Sequence, residues 1–572
     1  MAEQVGATMF DYIIVGGGAA GAVLASRLSE DPGLQVLLVE AGPDTPPENV
    51  PDDILDSYPI VAYFNRSYHW QNIKVHLNDP GASDTEPRTY EQAKVMGGGT
   101  SINGQFAFRG LPWDYDDWAK GGAKGWDWQA VLPYFRKLET DVDFGDSELH
   151  GNSGPMPLRR IPKDQWSPVA KATASVLEKR GVENIGDHNG IFRDGYFPMT
   201  INNVDGKRVS AAIAYLTRAV RDRANLKILA MTEMNKIVFD GNRACGVQVS
   251  GKNGDTVING REVIISAGAM QSPAILMRAG IGPADHLKQM NIEVRADRKG
   301  VGQNLQDHPM VALAGFLPKQ SRLPSTMRRH IQMGYRYSSE MPDTTPGDMF
   351  ILPSNRAAWH PLGKRLASII VCVNRPYSTG EVKLRHADPS FGPDINFKQL
   401  SDERDLARLE DGMHRLFAMV DDPALSSAIG EIFPATFSER VRKLGAVSRK
   451  NWLLTSIAAG VMECGPLARK LMIENAIVPD IDLKALRGSS NVLRSWIIDN
   501  TCGSWHASGT CKIGDEQDPM AVVDSDGRVI GVDGLRVVDA SIMPSVISGN
   551  TMLTTIMAAE KIADSIKEGH RR

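Results

Sequence analysis

Two stretches of the chain carry residue types that could do chemistry. In SWHASGTCK (504–512) a titratable ring, His506, stands between the indole of Trp505 and a run of small residues. An imidazole with a reference pKa of about 6.5 is largely neutral at working pH and takes up protons readily. A histidine is also often a packed structural residue, and these nine residues do not decide between the two. In FDYIIVGGGAAGAVLASRLSEDPGLQVLLVEAG (10–42) the chemistry is binding. Gly16, Gly18 and Gly21 stand at GxGxxG spacing, and Glu40 follows 19 positions after the last of them.

The glycines acquire meaning from the elements around them. The stretch reads as an apolar strand from Tyr12 to Val15, a glycine turn, a helix carrying Ala22, Leu24, Ala25 and Leu28, and a second strand ending at Glu40. In such a unit Gly16 makes the tight turn, Gly18 lets backbone approach a pyrophosphate, and Gly21 allows close helix packing. The helix N-terminus, with Ala19 and Ala20, supplies N–H groups and a positive dipole end. Glu40, followed by Ala41, is placed to accept hydrogen bonds from adenosine ribose hydroxyls. The unit predicts a bound dinucleotide and leaves NAD and FAD open, because both use this fingerprint.

Three further segments are rich in small residues. AKVMGGGTSINGQFAFRGLPWDYDDW (93–118) presents Gly98, Gly99, Asn103 and Gly104 as backbone with little side-chain bulk, suited to lie against a flat ring or a phosphate chain. Ile102, Phe106 and Phe108 mark it as packed rather than loose. SAGAMQSPAILMRAGIGP (266–283), with Ala267, follows the strand EVIIS, and KGVGQNLQDHP (299–309) again mixes glycines with amides and an Asp.

Together these segments, with the C-terminal HASGT and VVDASIMPSVISGNTMLTTIMAAEKIAD, resemble the glucose-methanol-choline (GMC) oxidoreductases from about residue 10 to 566. Met96 stands where that family more often has a branched aliphatic, and Ala279 where it has serine. GLPWDYDDWAKGGAKGWDWQAVLPYF, LHGNSGPMPL and DGYFP resemble the branch of hydroxymethylfurfural and aryl-alcohol oxidases. The resemblance implies an α/β fold: a Rossmann-like FAD-binding domain (1–154, 209–310 and 499–572, with a flavin-covering segment near 46–154). A substrate domain of antiparallel sheet and helices (155–208 and 311–498) would be inserted into it. ASIIVCVNRP and GEVKLR are candidate strands of that sheet, and DERDLARLEDGMHRLFAMV a candidate amphipathic helix.

The resemblance also assigns roles. His506 would take the alcohol proton, Asn550 would orient the substrate oxygen, and hydride would pass to flavin N5. Asp539, Ala540 and Thr551 would approach the flavin and pyrophosphate, while Ser504 and Trp505 would border the substrate. His308 reads as structural or cofactor-adjacent. Some relatives tether FAD through a histidine just before the loop asparagine; here that place is Ile102, so non-covalent FAD is expected. The expected reaction is oxidation of a primary alcohol, aromatic or furanic, to the aldehyde, with oxygen as acceptor giving hydrogen peroxide. A dehydrogenase passing electrons to a quinone or another acceptor, and a hydroxynitrile lyase, are the alternatives.

Composition excludes other classes. A net charge of −4 over 572 residues, without a long Lys/Arg run, provides no field for a nucleic acid. Five cysteines without a CxxC pair argue against a disulfide framework or a zinc site, and no other metal site is expected. The N-terminus lacks a secretory pattern, and no stretch approaches the roughly 20 apolar residues of a membrane span, so a cytoplasmic location is expected. The partners implied are a small alcohol and an electron acceptor; oligomeric state is open.

Overall fold

The computed structural model describes residues 9–78, 87–252, 254–477 and 483–571. The chain is α/β, built around two large sheets. The first has seven strands, ordered Leu226–Leu229, Val36–Val39, Phe10–Val15, Gly254–Ile265, Arg243–Gly251, Glu233–Asp240, with Leu535–Val537 also on Gly254–Ile265. The strands from Leu226 to Ile265 in that order, and Leu535–Val537, pair in parallel, while the last two form an antiparallel meander. Parallel strands must be covered on both faces, and Val36–Val39 is accordingly an unbroken buried run. Helix Ala19–Leu28 follows the first strand, and helix Thr551–Arg571 packs against it. Among the described residues no helix is long and apolar enough to cross a membrane.

The second sheet is antiparallel throughout, ordered Glu431–Pro434, Pro309–Phe316, Leu366–Val373, Met349–Ser354, Met333–Tyr337, Gly195–Pro198, with Cys502–Gly503 also on Pro309–Phe316. The expected helix forms as Glu403–Val420 and lays Leu406, Leu409, Met413 and Leu416 into the core. Gly412 lets it approach closely, since a Cβ there would lie 2.4 Å from Val371. ASIIVCVNRP supplies the strand Leu366–Val373. GEVKLR does become a strand, Glu381–Lys383, but in a separate four-stranded sheet with Asp394–Asn396, Lys74–His76 and Arg88–Thr89. Alternation shows that a segment pairs, not with which partner.

One register places the chemistry. Cys502–Gly503 pairs with the start of Pro309–Phe316 at Pro309↔Gly503, and further out Gln306 bridges Ser508. Between those pairs the 503–508 side is two residues longer than the 306–309 side. The excess bulges at Trp505, whose φ of 59° is left-handed, a conformation that costs a non-glycine residue about 1–3 kcal/mol and persists only where surroundings enforce it. The bulge brings His506 against His308.

Candidate active site

A cavity of about 480 Å³ lies between the two sheets, and every candidate site residue named from the sequence lines it except Gly21. The exception has a physical cause. A Cβ on Gly21 would sit 1.9 Å from the carbonyl of Gly16, so this glycine serves helix-to-strand packing rather than a ligand. Gly16 holds φ at +103°, making the turn. Gly98, at φ +53°, is pressed against the first glycine loop: its Cβ would lie 2.8 Å from the Gly18 Cα.

The remaining glycines form a cradle. A Cβ on Gly18 would meet nothing nearer than the Ser266 carbonyl at 3.9 Å, and one on Gly99 would meet nothing within 4 Å. Both point into open cavity, as surfaces against which a dinucleotide lies should. Glu40, fully buried, holds this end together: its carboxylate accepts from Gly17 N and Gly42 N, both at 2.7 Å. Each oxygen keeps a lone pair for a ribose hydroxyl. Asp539 ties two walls, accepting from Gly268 N at 2.8 Å, Ser272 Oγ at 2.6 Å and Ser541 N at 2.8 Å. Asn103 is fixed by Arg208, which donates to its Oδ1 at 2.7 Å. Glycine cradle, buried acid and helix N-terminus at Thr551 are the donor set a flavin dinucleotide requires.

At the other end of the cavity two histidines face one another. His308 Nε2 lies 2.9 Å from the Ile547 carbonyl, and its Nδ1 lies 2.7 Å from His506 Nδ1. A carbonyl only accepts, so His308 carries its proton on Nε2 and offers a lone pair at Nδ1. His506 must then donate from Nδ1, which leaves its Nε2 unprotonated. That nitrogen accepts from Asn550 Nδ2 at 2.9 Å. Burial, and then the neighbouring His308, hold the His506 pKa well below its ordinary value; burial likewise lowers that of His308 to about 4. The pair is neutral at physiological pH, and its one basic lone pair, on His506 Nε2, is the acceptor of the Asn550 amide bond. The bonding pattern, not the ring itself, sets which nitrogen is basic.

Asp307 fixes the loop that carries His506. Its Oδ1 accepts from the backbone N–H groups of His308, Ser504 and His506 at 2.8, 3.1 and 2.9 Å, and its Oδ2 from Tyr90 Oη at 3.2 Å. Burial pushes its pKa up to about 6 against those bonds, so it remains ionised at neutral pH. Ser504 donates through Oγ to the His308 carbonyl at 3.0 Å; it braces the loop. Trp505 Nε1 donates to Glu91 at 3.1 Å, and Tyr63 packs edge-on against its indole at 5.3 Å. Glu91 is itself neutralised by an ion pair with Arg442.

The rest of the wall near His506 is apolar. Phe108 and Phe350 stack at 5.5 Å, with Met310, Ile331, Leu352 and Ile370 also lining the space. Sequence reading marked Phe108 only as packed and did not find the rest of this wall; it read His308 as structural or cofactor-adjacent and gave Asp307 no role. The available signal was two titratable residues side by side in the glycine- and amide-rich loop QDHP.

A second buried polar group lies outside the cavity. His150 bonds Glu139 at 3.0 Å and Asp141 at 2.9 Å through Nδ1, and Asp187 at 2.8 Å through Nε2, with Arg109 on Glu139 and Arg160 on Asp141. Both ring nitrogens face carboxylates, so His150 is an imidazolium in a balanced ion network.

Comparison with known proteins agrees with this geometry. The family models for GMC oxidoreductase match residues 10–310 and 376–559. The chain is 42% identical to 5-(hydroxymethyl)furfural oxidase of Methylovorus sp. (strain MP688), covering 98% of this chain and 99% of that protein. It is 33% identical to the oxygen-dependent choline dehydrogenase of Ectopseudomonas mendocina (strain ymp), covering 98% and 94%. Among solved structures, pyridoxine 4-oxidase from Mesorbium loti superposes with a TM-score of 0.81 at 26% identity, covering 98% and 99%. With a glycine cradle shaped for a dinucleotide at one end of its cavity and a neutral, oriented imidazole at the other, this chain belongs to the glucose-methanol-choline oxidoreductases, as an FAD-dependent enzyme acting on alcohols.

Proposed function

We propose that the enzyme oxidises primary alcohols with a flat, uncharged aromatic or furanic body to their aldehydes, passing the electrons to molecular oxygen to give hydrogen peroxide. The observation that carries this reading is the unprotonated His506 Nε2, 2.9 Å from Asn550 Nδ2, at an apolar wall that includes the Phe108–Phe350 stack. His506 takes the hydroxyl proton while Asn550 holds the substrate oxygen. FAD, when bound, supplies the hydride acceptor. Similarity to a hydroxymethylfurfural oxidase over nearly the whole chain supports the substrate class and the acceptor. Ile102, which lines the cavity, offers no nucleophile, so FAD is held without a covalent bond. The five cysteines are free thiols, which fits a cytoplasmic, reducing setting.

One corner of the cavity favours a second reading, a choline-type dehydrogenase. Trp505, Tyr63, Tyr90 and Glu91 combine aromatic faces with a carboxylate, the elements of a quaternary ammonium site. The Arg442 guanidinium on Glu91 cancels the charge that such a cation would need. Anaerobic mixing with furanic, benzylic, aliphatic and choline-like alcohols separates the readings by which of them bleaches the flavin, and peroxide assay on aeration tests the acceptor. Fast bleaching by choline alone would overturn the proposed substrate class, and bleaching by no alcohol would favour a lyase.

A further inference from the structure

Helix Arg449–Glu463 is apolar on two opposite sides. Inward, Ala459 and Met462 are buried against a cluster with Phe316, Phe433 and Ile473. Outward, Leu453, Ile457 and Val461 are 56%, 59% and 36% exposed, a stripe at i, i+4 and i+8 facing away from the buried side. No charged residue occurs between Lys450 and Glu463. The following helix, Pro466–Met472, adds Leu467 and Leu471, exposed by 72% and 54%. A helix apolar all round is ordinarily enclosed by protein or lipid. Among the described residues nothing covers this outer face.

Charge indicates what does. Residues 440–474 hold two Asp/Glu and seven Lys/Arg, of which Arg442, Arg469 and Lys470 are ion-paired with Glu91, Glu431 and Glu474, in a chain of net charge −4. Arg440 and Lys443 on helix Glu439–Gly445, and Arg449 and Lys450 in the first turn of the helix that carries the apolar stripe, are exposed. We propose that these two helices form a docking surface for an anionic lipid bilayer, lying in the plane of the headgroups with Leu453, Ile457, Leu467 and Leu471 inserted. A rim of basic residues around an apolar helical face is the pattern of an interfacial element, and each exposed cation adds to attraction by acidic lipids. Fifteen residues are too few to span a bilayer of roughly 30 Å. The preceding helix, Glu439–Gly445, connects the surface to the cavity, since its Arg442 holds Glu91.

The test uses the holoenzyme in sedimentation with vesicles of phosphatidylcholine, with and without phosphatidylglycerol, at low and high salt. Wild type is expected to sediment with the phosphatidylglycerol vesicles and to be released by salt. Leu453→Ser with Ile457→Ser weakens the association by roughly tenfold per residue, and Arg449→Glu with Lys450→Glu abolishes the preference for the anionic lipid. Both double variants keep wild-type FAD content and vesicle-free turnover, because neither site touches the cavity. The proposal fails if wild type stays in the supernatant with every vesicle. It fails equally if sedimentation velocity without lipid shows a dimer that the serine variant dissolves, for then a second copy covers the face.

Discussion

Replacing His308 should disable the enzyme without touching the base itself. The 2.7 Å contact between the two Nδ1 atoms is the bond that keeps the proton of His506 on Nδ1 and its Nε2 unprotonated. In His308→Leu that proton faces apolar side chain in a buried site. Leaving a buried donor unsatisfied costs about 1–3 kcal/mol, so the population with an unprotonated Nε2 falls by roughly 5- to 150-fold. Anaerobic stopped-flow measurement of flavin bleaching at saturating alcohol should show a drop of that size in the limiting rate, with little change in apparent substrate affinity. His308→Asn places an acceptor oxygen where Nδ1 stood and should recover most of the loss, which a purely packing role would not produce. Equal rates in the leucine and asparagine variants, at wild-type FAD content, would refute the tautomer argument.

Other outcomes follow from the same geometry. His506→Ala should slow flavin reduction by roughly 10²- to 10⁴-fold with FAD retained; because burial keeps this imidazole neutral, the wild-type rate should show no acid limb centred at or above about pH 6.5. Gly99→Val should give folded protein that purifies with little flavin, since its side chain enters the cradle, whereas Gly21→Ala should lower Tm because its Cβ meets the Gly16 carbonyl at 1.9 Å. Acid precipitation should release the flavin into the supernatant, and flavin kept in the pellet would show a covalent bond. His150→Leu should cost about 3–5 kcal/mol by stranding buried carboxylates. Against the desolvation that lowers it, bonds to Asp141, Asp187 and Glu139 raise the His150 pKa to about 10. Its stabilisation is therefore complete below its unfolded pKa of about 6.5 and is lost as pH climbs through about 10; a wild-type Tm that does not fall relative to the variant over that alkaline range would contradict it.

What the sequence by itself determined was local. Strand, glycine turn, helix and terminal acid lie within residues 10–40, where backbone sterics and hydrophobic period act between near neighbours, so Gly16, Gly18 and Glu40 were legible from spacing alone. His506 and Asn550 were legible only through resemblance to a family, since neither carries a local signal of its role. Tertiary structure alone decided which nitrogen of His506 is basic. That depends on His308, 198 positions away, and on the Ile547 carbonyl, brought together by one strand register and by a left-handed Trp505. It also decided that Glu91 is neutralised, by Arg442 some 351 positions later, and that GEVKLR joins a small sheet rather than the large one. Periodicity states which face of a segment is apolar. Hydrogen-bond partners, and with them tautomer and charge, are set by what the completed fold lays against that face.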